Sequence, residues 1–440
     1  MTVVLGQNWE VSPILSAPGD WMPVAIATDS LCQPHVAFGL SGSGVLGYAR
    51  REGDTWNFAY PDSGGAISSI ELCLDSGDVP HLSYVVSRYP EPSELRYAYQ
   101  NGDTWHVETV ARNATLFSLV LARDGTPHMA FMDSSRVKYA HKAGDTWNIL
   151  TVPAYQADTL RRLGGASLAT DTSDRPGVAV AWCKYSGGSH DSLWLSFFEY
   201  DGTSWHRFEV DSVQARGSAV WDFWPVRVRS DPGTDLFHIL YRDATYATGK
   251  GNNWHVEEAN VSAGNVCCDF VLHRGRPHIA CASTWDPVTY QWRWAGGWET
   301  EMVVNTGLLE NPSIAVDRDA RPHIAFFGWY DTLFYARRLF IGAEEPAPPL
   351  DRSQPRLLIY PNLASGDLQA QYGVPVKGRV RLTLYDVQGR VKITFADREM
   401  SPGYYRLAMG GPSRSLPAGV YYLSLTQLGN QVTKKVVLAE

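Results

Sequence analysis

The sequence is sparing with cysteine, with charge and with long apolar runs, and each shortage excludes something. Six Cys in 440 residues are too few for a disulfide scaffold, and no Cys-x-x-Cys pair offers a zinc site. Cys32, Cys73, Cys183, Cys267, Cys268 and Cys281 fall mostly in apolar strand patterns and read as buried free thiols. Charged residues are only 19% against 44% hydrophobic, which excludes global disorder. A basic excess is absent: 38 Lys and Arg face 46 Asp and Glu, for a net charge of −8. A phosphate-binding surface and nucleic acid as partner are therefore not expected. No apolar stretch is long enough for a membrane helix, so no membrane span is expected. The start, Met1-Thr-Val-Val-Leu-Gly-Gln-Asn-Trp9, lacks the basic and apolar regions of a signal peptide, which predicts a cytoplasmic protein or a trimmed mature form. No pattern for a nucleophilic serine or a phosphate cradle occurs, and neither a cofactor nor a metal is expected.

What the sequence has in quantity is aromatics: 16 Trp, 22 Tyr and 15 Phe. All the Trp precede Ala343, where Ala343-Glu-Glu-Pro-Ala-Pro-Pro-Leu350 reads as an extended spacer. From Ala343 onward there are 12 Lys and Arg against 8 Asp and Glu, leaving 26 against 38 before it. Two bodies of opposite net charge follow: residues 1–342 and 357–440, joined by a Pro-rich linker, 343–356.

The first body repeats. Gly-x-x-Trp or a variant recurs at Gly53-Asp-Thr-Trp56, Gly102-Asp-Thr-Trp105, Gly144-Asp-Thr-Trp147, Gly202-Thr-Ser-Trp205, Gly251-Asn-Asn-Trp254 and Gly296-Gly-Trp298. Upstream of these lie strands opening on Pro34-His35, Pro80-His81, Pro127-His128, Pro277-His278 and Pro322-His323, with Phe237-His238 and Pro176-Gly177 as degenerate copies. Between the anchors runs Tyr-Ala, at Tyr48, Tyr97, Tyr139, Tyr246 and Tyr335. Apolar alternation broken by Gly and Asp turns gives four short strands per unit, and four-stranded repeats of this length predict propeller blades. Seven Pro-His-type strands occur, but the last lacks its Gly-x-x-Trp strand, which Gly6-Gln-Asn-Trp9 supplies from the other end. The expectation is an all-β protein: a seven-bladed β-propeller closed by the N-terminal strand, then a small C-terminal β-sandwich.

These repeats resemble secreted bacterial seven-bladed propellers with sialidase-like (BNR-type) repeats. Gly-Asp-Thr-Trp looks like the end of an Asp-box, but the Ser and first Asp of that pattern are missing at Tyr99-Gln-Asn-Gly-Asp-Thr-Trp105, so the resemblance supports architecture more than sialidase activity.

Six repeat-equivalent histidines (35, 81, 128, 238, 278, 323) cannot share one ion from positions around a ring, and read as structural residues bonding a neighbouring turn. His106, His206 and His255 read the same way, and the repeat tryptophans as packing between blades. The short turns are uniform, whereas the second-to-third loops and the crossovers vary, and insertions on one face commonly mark the binding face. That face collects Trp21, Arg88, Tyr89, Tyr185, Trp221, Asp222, Trp224, Arg242, Asp243, Trp285, Asp286, Trp329, Tyr330 and Asp331, beside Asp133, Arg161 and Arg162. Aromatics next to planar donors and acceptors suit a glycan, and equally a surface protein. The function expected is recognition, with glycan favoured. A glycoside hydrolase or polysaccharide lyase on the same face is the alternative, with Glu91, Glu94, Asp191, Asp222, Asp286 and Asp331 as available carboxylates; a protein-binding adhesin is another.

In the second body, Tyr360-Pro-Asn362, Leu384-Tyr-Asp-Val-Gln-Gly-Arg390, Leu416-Pro-Ala-Gly-Val-Tyr-Tyr422 and Lys434-Lys-Val-Val-Leu438 resemble the C-terminal sorting domain of the type IX (Por) secretion system. Leu363 stands where that family usually has Pro, and the flagellar-hook-cap-type immunoglobulin-like domain shares much of the strand pattern. The resemblance implies an immunoglobulin-like sandwich, the type IX machinery as partner, secretion or display at the outer cell surface, and a signal peptide already removed.

Overall fold

The computed structural model describes residues 4–5, 8–16, 23–40, 43–133, 136–154, 161–186, 189–214, 226–241, 244–259, 267–282, 287–294, 297–305, 310–328, 332–339, 356–360, 363–364, 369–374, 376–400, 403–408 and 416–438. Among them every regular element is a β-strand, and no helix is long and apolar enough to cross a membrane. The chain divides into two compact units, Met1–Leu339 and Phe340–Glu440.

Among its described residues the first unit contains seven antiparallel sheets, I to VII, each built on four strands. Sheet I holds Val24–Thr28, Pro34–Leu40, Val45–Glu52 and Thr55–Ser63; sheet II holds Ala66–Leu74, Pro80–Arg88, Glu91–Asn101 and Thr104–Arg112. Sheet III runs Ala114–Leu121, Pro127–Asp133, Arg136–Ala143 and Thr146–Thr151; sheet IV runs Arg161–Thr170, Pro176–Ser186, Ser189–Tyr200 and Trp205–Gln214. Sheet V comprises Arg227–Asp231, Leu236–Tyr241, Thr245–Lys250 and Asn253–Glu258; sheet VI comprises Cys267–His273, Arg276–Ala282, Val288–Trp294 and Gly297–Asn305. Sheet VII takes Glu310–Val316, Pro322–Gly328 and Thr332–Arg338 from one end of the unit and Trp9–Ser16 from the other. The pairing runs from Trp9 opposite Arg338 to Ser16 opposite Thr332. A short strand, Val4–Leu5, adds to the outer edge of sheet VI, opposite Asn305 and Val304, a pairing absent from the sequence reading.

Burial explains why the second strand reads as an apolar run. Pro34–Leu40 is buried on both faces up to its last residue, whereas Thr55–Ser63 alternates between exposed and half-buried. First strands of successive sheets pack on one another from I to VII, and VII packs back on I.

The repeat signatures meet across this cycle. Each fourth-strand Trp stands edge-on against the third-strand ring of the preceding sheet: Trp105 on Tyr48, Trp147 on Tyr97, Trp205 on Tyr139, Trp254 on Phe197 and Trp298 on Tyr246. Trp56 of sheet I lies 5.4 Å from Tyr335 of sheet VII, and Trp9 lies 5.6 Å from Tyr290 of sheet VI. Seven edge-to-face contacts thus join seven sheets in order, each adding to the burial of apolar area.

In every sheet but IV, the second-strand His takes the phenol of that same Tyr on its Nδ1. The separations are 2.5 Å for His35 and Tyr48, 2.5 Å for His81 and Tyr97, 2.7 Å for His128 and Tyr139, 2.5 Å for His278 and Tyr290, and 2.6 Å for His323 and Tyr335; His238 and Tyr246 pair likewise. The turn bond expected from the sequence is the weaker one, from Nε2 to Asp29 at 3.4 Å in sheet I and to Asp317 at 3.2 Å in sheet VII. Those turn aspartates also accept from the backbone, Asp29 Oδ1 from Leu31 and Gln33 and Asp317 Oδ1 from Asp319 and Arg321, which fixes the first turn. Sheet IV replaces both partners together, with Gly177 for His and Phe197 for Tyr, and a Cβ on Gly177 would sit 2.3 Å from the Phe197 ring.

One cysteine expectation is corrected. Cys268 and Cys281 form a disulfide rather than free thiols, because the register of sheet VI puts them directly opposite on adjacent strands with Cα atoms 4.3 Å apart. Cys32 and Cys73 are half-buried free thiols, and Cys183 is buried.

Among its described residues the second unit has a three-stranded sheet, Arg356–Tyr360, Gln369–Val374 and Gly403–Ala408, and a five-stranded one, Leu363–Ala364, Asn430–Leu438, Gly419–Gln427, Gly378–Asp386 and Val391–Met400. Leu357, Tyr372 and Val374 from the first share a core with Leu382, Leu384, Leu423 and Leu425 from the second. Asp386 accepts from the N–H groups of Gln388 and Arg390 and pairs with the Arg390 guanidinium at 2.8 Å, which accounts for the Tyr-Asp-Val-Gln-Gly-Arg turn.

Candidate functional site

The variable-loop face is only partly described. Trp21, Trp221, Asp222, Trp224, Arg242, Asp243, Trp285, Asp286, Trp329, Tyr330 and Asp331 lie outside the described residues. The backbone of Tyr185 pairs with His190 in the second hairpin of sheet IV. Arg88 and Tyr89 are described: Tyr89 is fully exposed at the hairpin tip, ahead of a cis bond to Pro90, while Arg88 Nε donates to the Gly64 carbonyl. Glu94 is held by Arg96 at 2.6 Å and by Arg112 at 3.5 Å, and its hydrogen bond from Arg96 keeps its carboxyl below the usual range. A residue so neutralised is a poor general acid.

The connections differ sharply between the two faces. First-to-second turns follow one plan in sheets I, II, III, IV and VII, and third-to-fourth turns pivot on Gly53, Gly102, Gly144 and Gly251 at positive φ. The connections between sheets range in length from the single Asn113, between sheets II and III, to the stretch 215–226 between sheets IV and V.

A second constellation lies at the centre of the cycle. Four residues ahead of the first turn, the first strands place Ala25, Glu71, Ser118, Ser167, Arg227, Asp269 and Ser313 at one level. Four of these accept the backbone N–H offered by the next sheet: Ser118 from Leu168 at 2.8 Å, Ser167 from Val228 at 3.1 Å, Asp269 from Ile314 at 3.2 Å and Ser313 from Ile26 at 3.3 Å. These bonds satisfy inner-strand edges that would otherwise go unpaired. Glu71 and Arg227 instead reach toward each other, 3.9 Å apart, from the non-adjacent sheets II and V. Arg227 and Arg229 also approach Asp269, at 3.6 and 3.4 Å. Burial pushes the Glu71 carboxyl up; Arg227 and Arg229 oppose that rise and Asp269 adds to it. A carboxyl biased toward its protonated form beside two guanidinium groups and a second carboxylate has the makings of an acid–base pair. Sequence reasoning missed this cluster by looking for chemistry in loops. The available signal was charge inside otherwise apolar strands, at Ile70-Glu-Leu72, Val226-Arg-Val-Arg229 and Cys268-Asp-Phe270. Among the described residues no three His, Cys, Asp or Glu side chains converge as a metal site.

No family model matches the chain, and no curated protein does. Among solved structures, the chain is similar to the alpha-L-arabinanase of Penicillium chrysogenum complexed with arabinobiose, at 11% identity over 77% of this chain and 98% of that one, with a TM-score of 0.45. It is similar to a protein of unknown function from Dyadobacter fermentans, at 8% identity over 75% and 99% with a TM-score of 0.45. An ulvan lyase, from a new family of polysaccharide lyase, is similar at 12% identity over 75% and 93% with a TM-score of 0.44.

Proposed function

We propose that the first unit is a seven-bladed β-propeller that recognises glycan on its variable-loop face, and that the second is an immunoglobulin-like sorting domain for type IX export to the cell surface or beyond. The observation that carries the first reading is the asymmetry of the two faces. First-to-second turns follow one plan in sheets I, II, III, IV and VII, while the connections between sheets differ widely in length and the second hairpin of sheet II carries the fully exposed Tyr89 at its tip. A rigid ring with one variable rim is a binding scaffold, and exposed aromatics beside arginine suit a sugar ring. On this reading Trp21, Tyr185, Trp285 and Trp329 belong to the same rim.

The Glu71, Arg227, Arg229 and Asp269 cluster favours a second reading, a carbohydrate-active enzyme whose chemistry takes place at the axis. One experiment separates the two: the full chain is applied to a glycan array and a polysaccharide panel, measuring retention and released reducing or unsaturated ends. Retention without product, weakened roughly tenfold by Tyr89→Ala or Trp285→Ala, is the expected result. Product that grows with time and vanishes in Glu71→Gln and Asp269→Asn would replace recognition by catalysis, and silence in both readouts would leave a protein partner as the ligand. For the second unit, residues 350–440 fused to a secreted reporter should direct export in a type IX-competent bacterium, and removal of the Lys434 to Leu438 segment should stop it. Retention of the intact fusion in the periplasm refutes the sorting role.

A further inference from the structure

In the second unit, apolar surface is left over at one end of the five-stranded sheet. Side chains alternate across that sheet, so Leu382, Leu384, Leu423 and Leu425 enter the core while their neighbours face the other way. On the outer face Tyr385 stands directly between Tyr422 of the strand Gly419–Gln427 and Val391 of the strand Val391–Met400. Val387 lies in the turn that joins Gly378–Asp386 to the latter strand. Val387 is 62% exposed, Val391 59% and Tyr422 39%. Among the described residues these are three of the four large hydrophobics that the second unit exposes; the fourth, Leu428, sits in the turn at the far end of the sheet. The fold accounts for the rest of these segments, since Asp386, Gly389 and Arg390 make the turn and Leu384 and Tyr421 enter the core. Neither role includes Tyr385, Val387, Val391 or Tyr422. Apolar groups gathered in the open mark a surface that meets a partner.

The patch has a cationic border. Lys435 stands directly opposite Tyr422, on the side away from Tyr385, with Lys434 next to it in the strand. Both lysines are exposed, and neither pairs with a carboxylate among the described residues. On the other side Arg390 and Lys392 share one carboxylate, Asp386, at 2.8 and 3.3 Å, so one positive charge there is left uncompensated. A partner that fits is therefore apolar at its centre and acidic at its rim, which is the anatomy of a protein interface. Two residues further along the strands the face turns polar, with Thr433 and Thr394 exposed beside the buried Ser424 and Thr383. A protein surface offers such hydroxyls hydrogen-bond partners, and the hydrocarbon of a membrane does not.

We propose that this patch is where the second unit docks on a protein of its export route, one whose complementary face is apolar and rimmed with acidic side chains. The proposal rests on the sorting role given above to the second unit. The test uses the full chain behind a periplasmic signal peptide in a type IX-competent bacterium, and reads the fraction that reaches the cell surface or the medium. Val391→Asp and Tyr422→Asp should each lower that fraction roughly tenfold and leave the chain in the periplasm. Lys435→Glu should act in the same direction, because it sets like charges face to face. Leu428→Asp, the same kind of change at an equally open position, should leave export unaltered. Val391→Thr keeps the β-branched shape and should still lower export, so the test survives an aspartate variant that misfolds. Melting temperatures of the purified chains identify such a variant. Retention of the unaltered chain in the periplasm defeats the sorting role and this proposal with it. Normal export of Val391→Asp and Tyr422→Asp, or an equal loss with Leu428→Asp, overturns the patch alone. So does self-association of the unaltered chain, or its binding to phosphatidylglycerol vesicles, that Val391→Asp abolishes, since the patch then serves a second copy or a lipid surface.

Discussion

Deleting residues 1–16 should cost the first unit several kcal/mol of stability. The deletion takes the fourth strand from sheet VII and exposes the Thr332–Arg338 strand as an edge. It also strips Val4–Leu5 from sheet VI, so two sheets are damaged at once. Trp9 is only 3% exposed, more buried than its half-buried repeat equivalents, and its indole N–H donates to Glu301 at 2.9 Å. Glu301 in turn pairs with Arg338 at 2.7 Å, and the Arg338 guanidinium lies 4.8 Å over Trp292. The N-terminal strand therefore ties sheet VI to sheet VII through one aromatic contact and one ionic network. Trp9→Ala, which keeps the backbone pairing, should by itself cost about 3–5 kcal/mol. Thermal and urea melts of the deletion and of the point variant check both values. A melting temperature unchanged by the deletion would mean that the ring does not depend on its two ends meeting.

The cyclic arrangement was readable because its signatures are contact partners. Gly-x-x-Trp and Tyr-Ala recur together since the Trp of one sheet needs the Tyr of the sheet before it, and the incomplete last repeat pointed to Trp9 for the same reason. The double change to Gly177 and Phe197 follows the same logic, for a His without a phenol partner has no buried role there. What sequence spacing could not supply was register. The partner of each repeat histidine, the Cys268–Cys281 disulfide and the added Val4–Leu5 strand all depend on which residues stand opposite one another, and that is decided by turn length and twist.

The site was less legible. The residues singled out for the rim were chosen because they fall in connections of variable length, but whether such residues converge is a matter of loop conformation, which alternating patterns do not encode. The axial cluster depends on distance across the ring, and nothing in the spacing between Glu71 and Arg227 announces that sheets II and V bring them within 3.9 Å.

The same histidines that order the sheets should make the first unit acid-labile. All six second-strand imidazoles titrate below their ordinary value, and burial is the leading cause in each. His128 and His238 are lowered to about 4 and His278 to about 3. In the unfolded chain these rings take up protons near pH 6.5, so the unfolded state binds more protons than the native one between that pH and the native values. Stability is therefore full above about pH 6.5 and falls as the solution is acidified through the window. Each ring contributes up to about 1.4 kcal/mol per pH unit. His128, His238 and His278 together should remove roughly 3 kcal/mol between pH 6 and pH 5, a substantial part of a typical domain's stability. His35, His81 and His323 shift in the same direction and add to the loss, tempered by the neighbouring Asp29, Asp75 and Asp317. Carboxylates lowered by their partners, such as Asp317, extend the decline to lower pH, because they too lose stabilising charge on protonation. Urea midpoints measured from pH 7.5 to 4.5, with proton uptake on unfolding recorded near pH 5.5, give the slope directly. Several protons taken up per molecule is the expected result, and His128→Asn should lower that number by about one whatever it does to absolute stability. A midpoint that stays level across this range would show that the imidazoles titrate in the folded ring as freely as in water, and that the His–Tyr pairs do not hold them neutral.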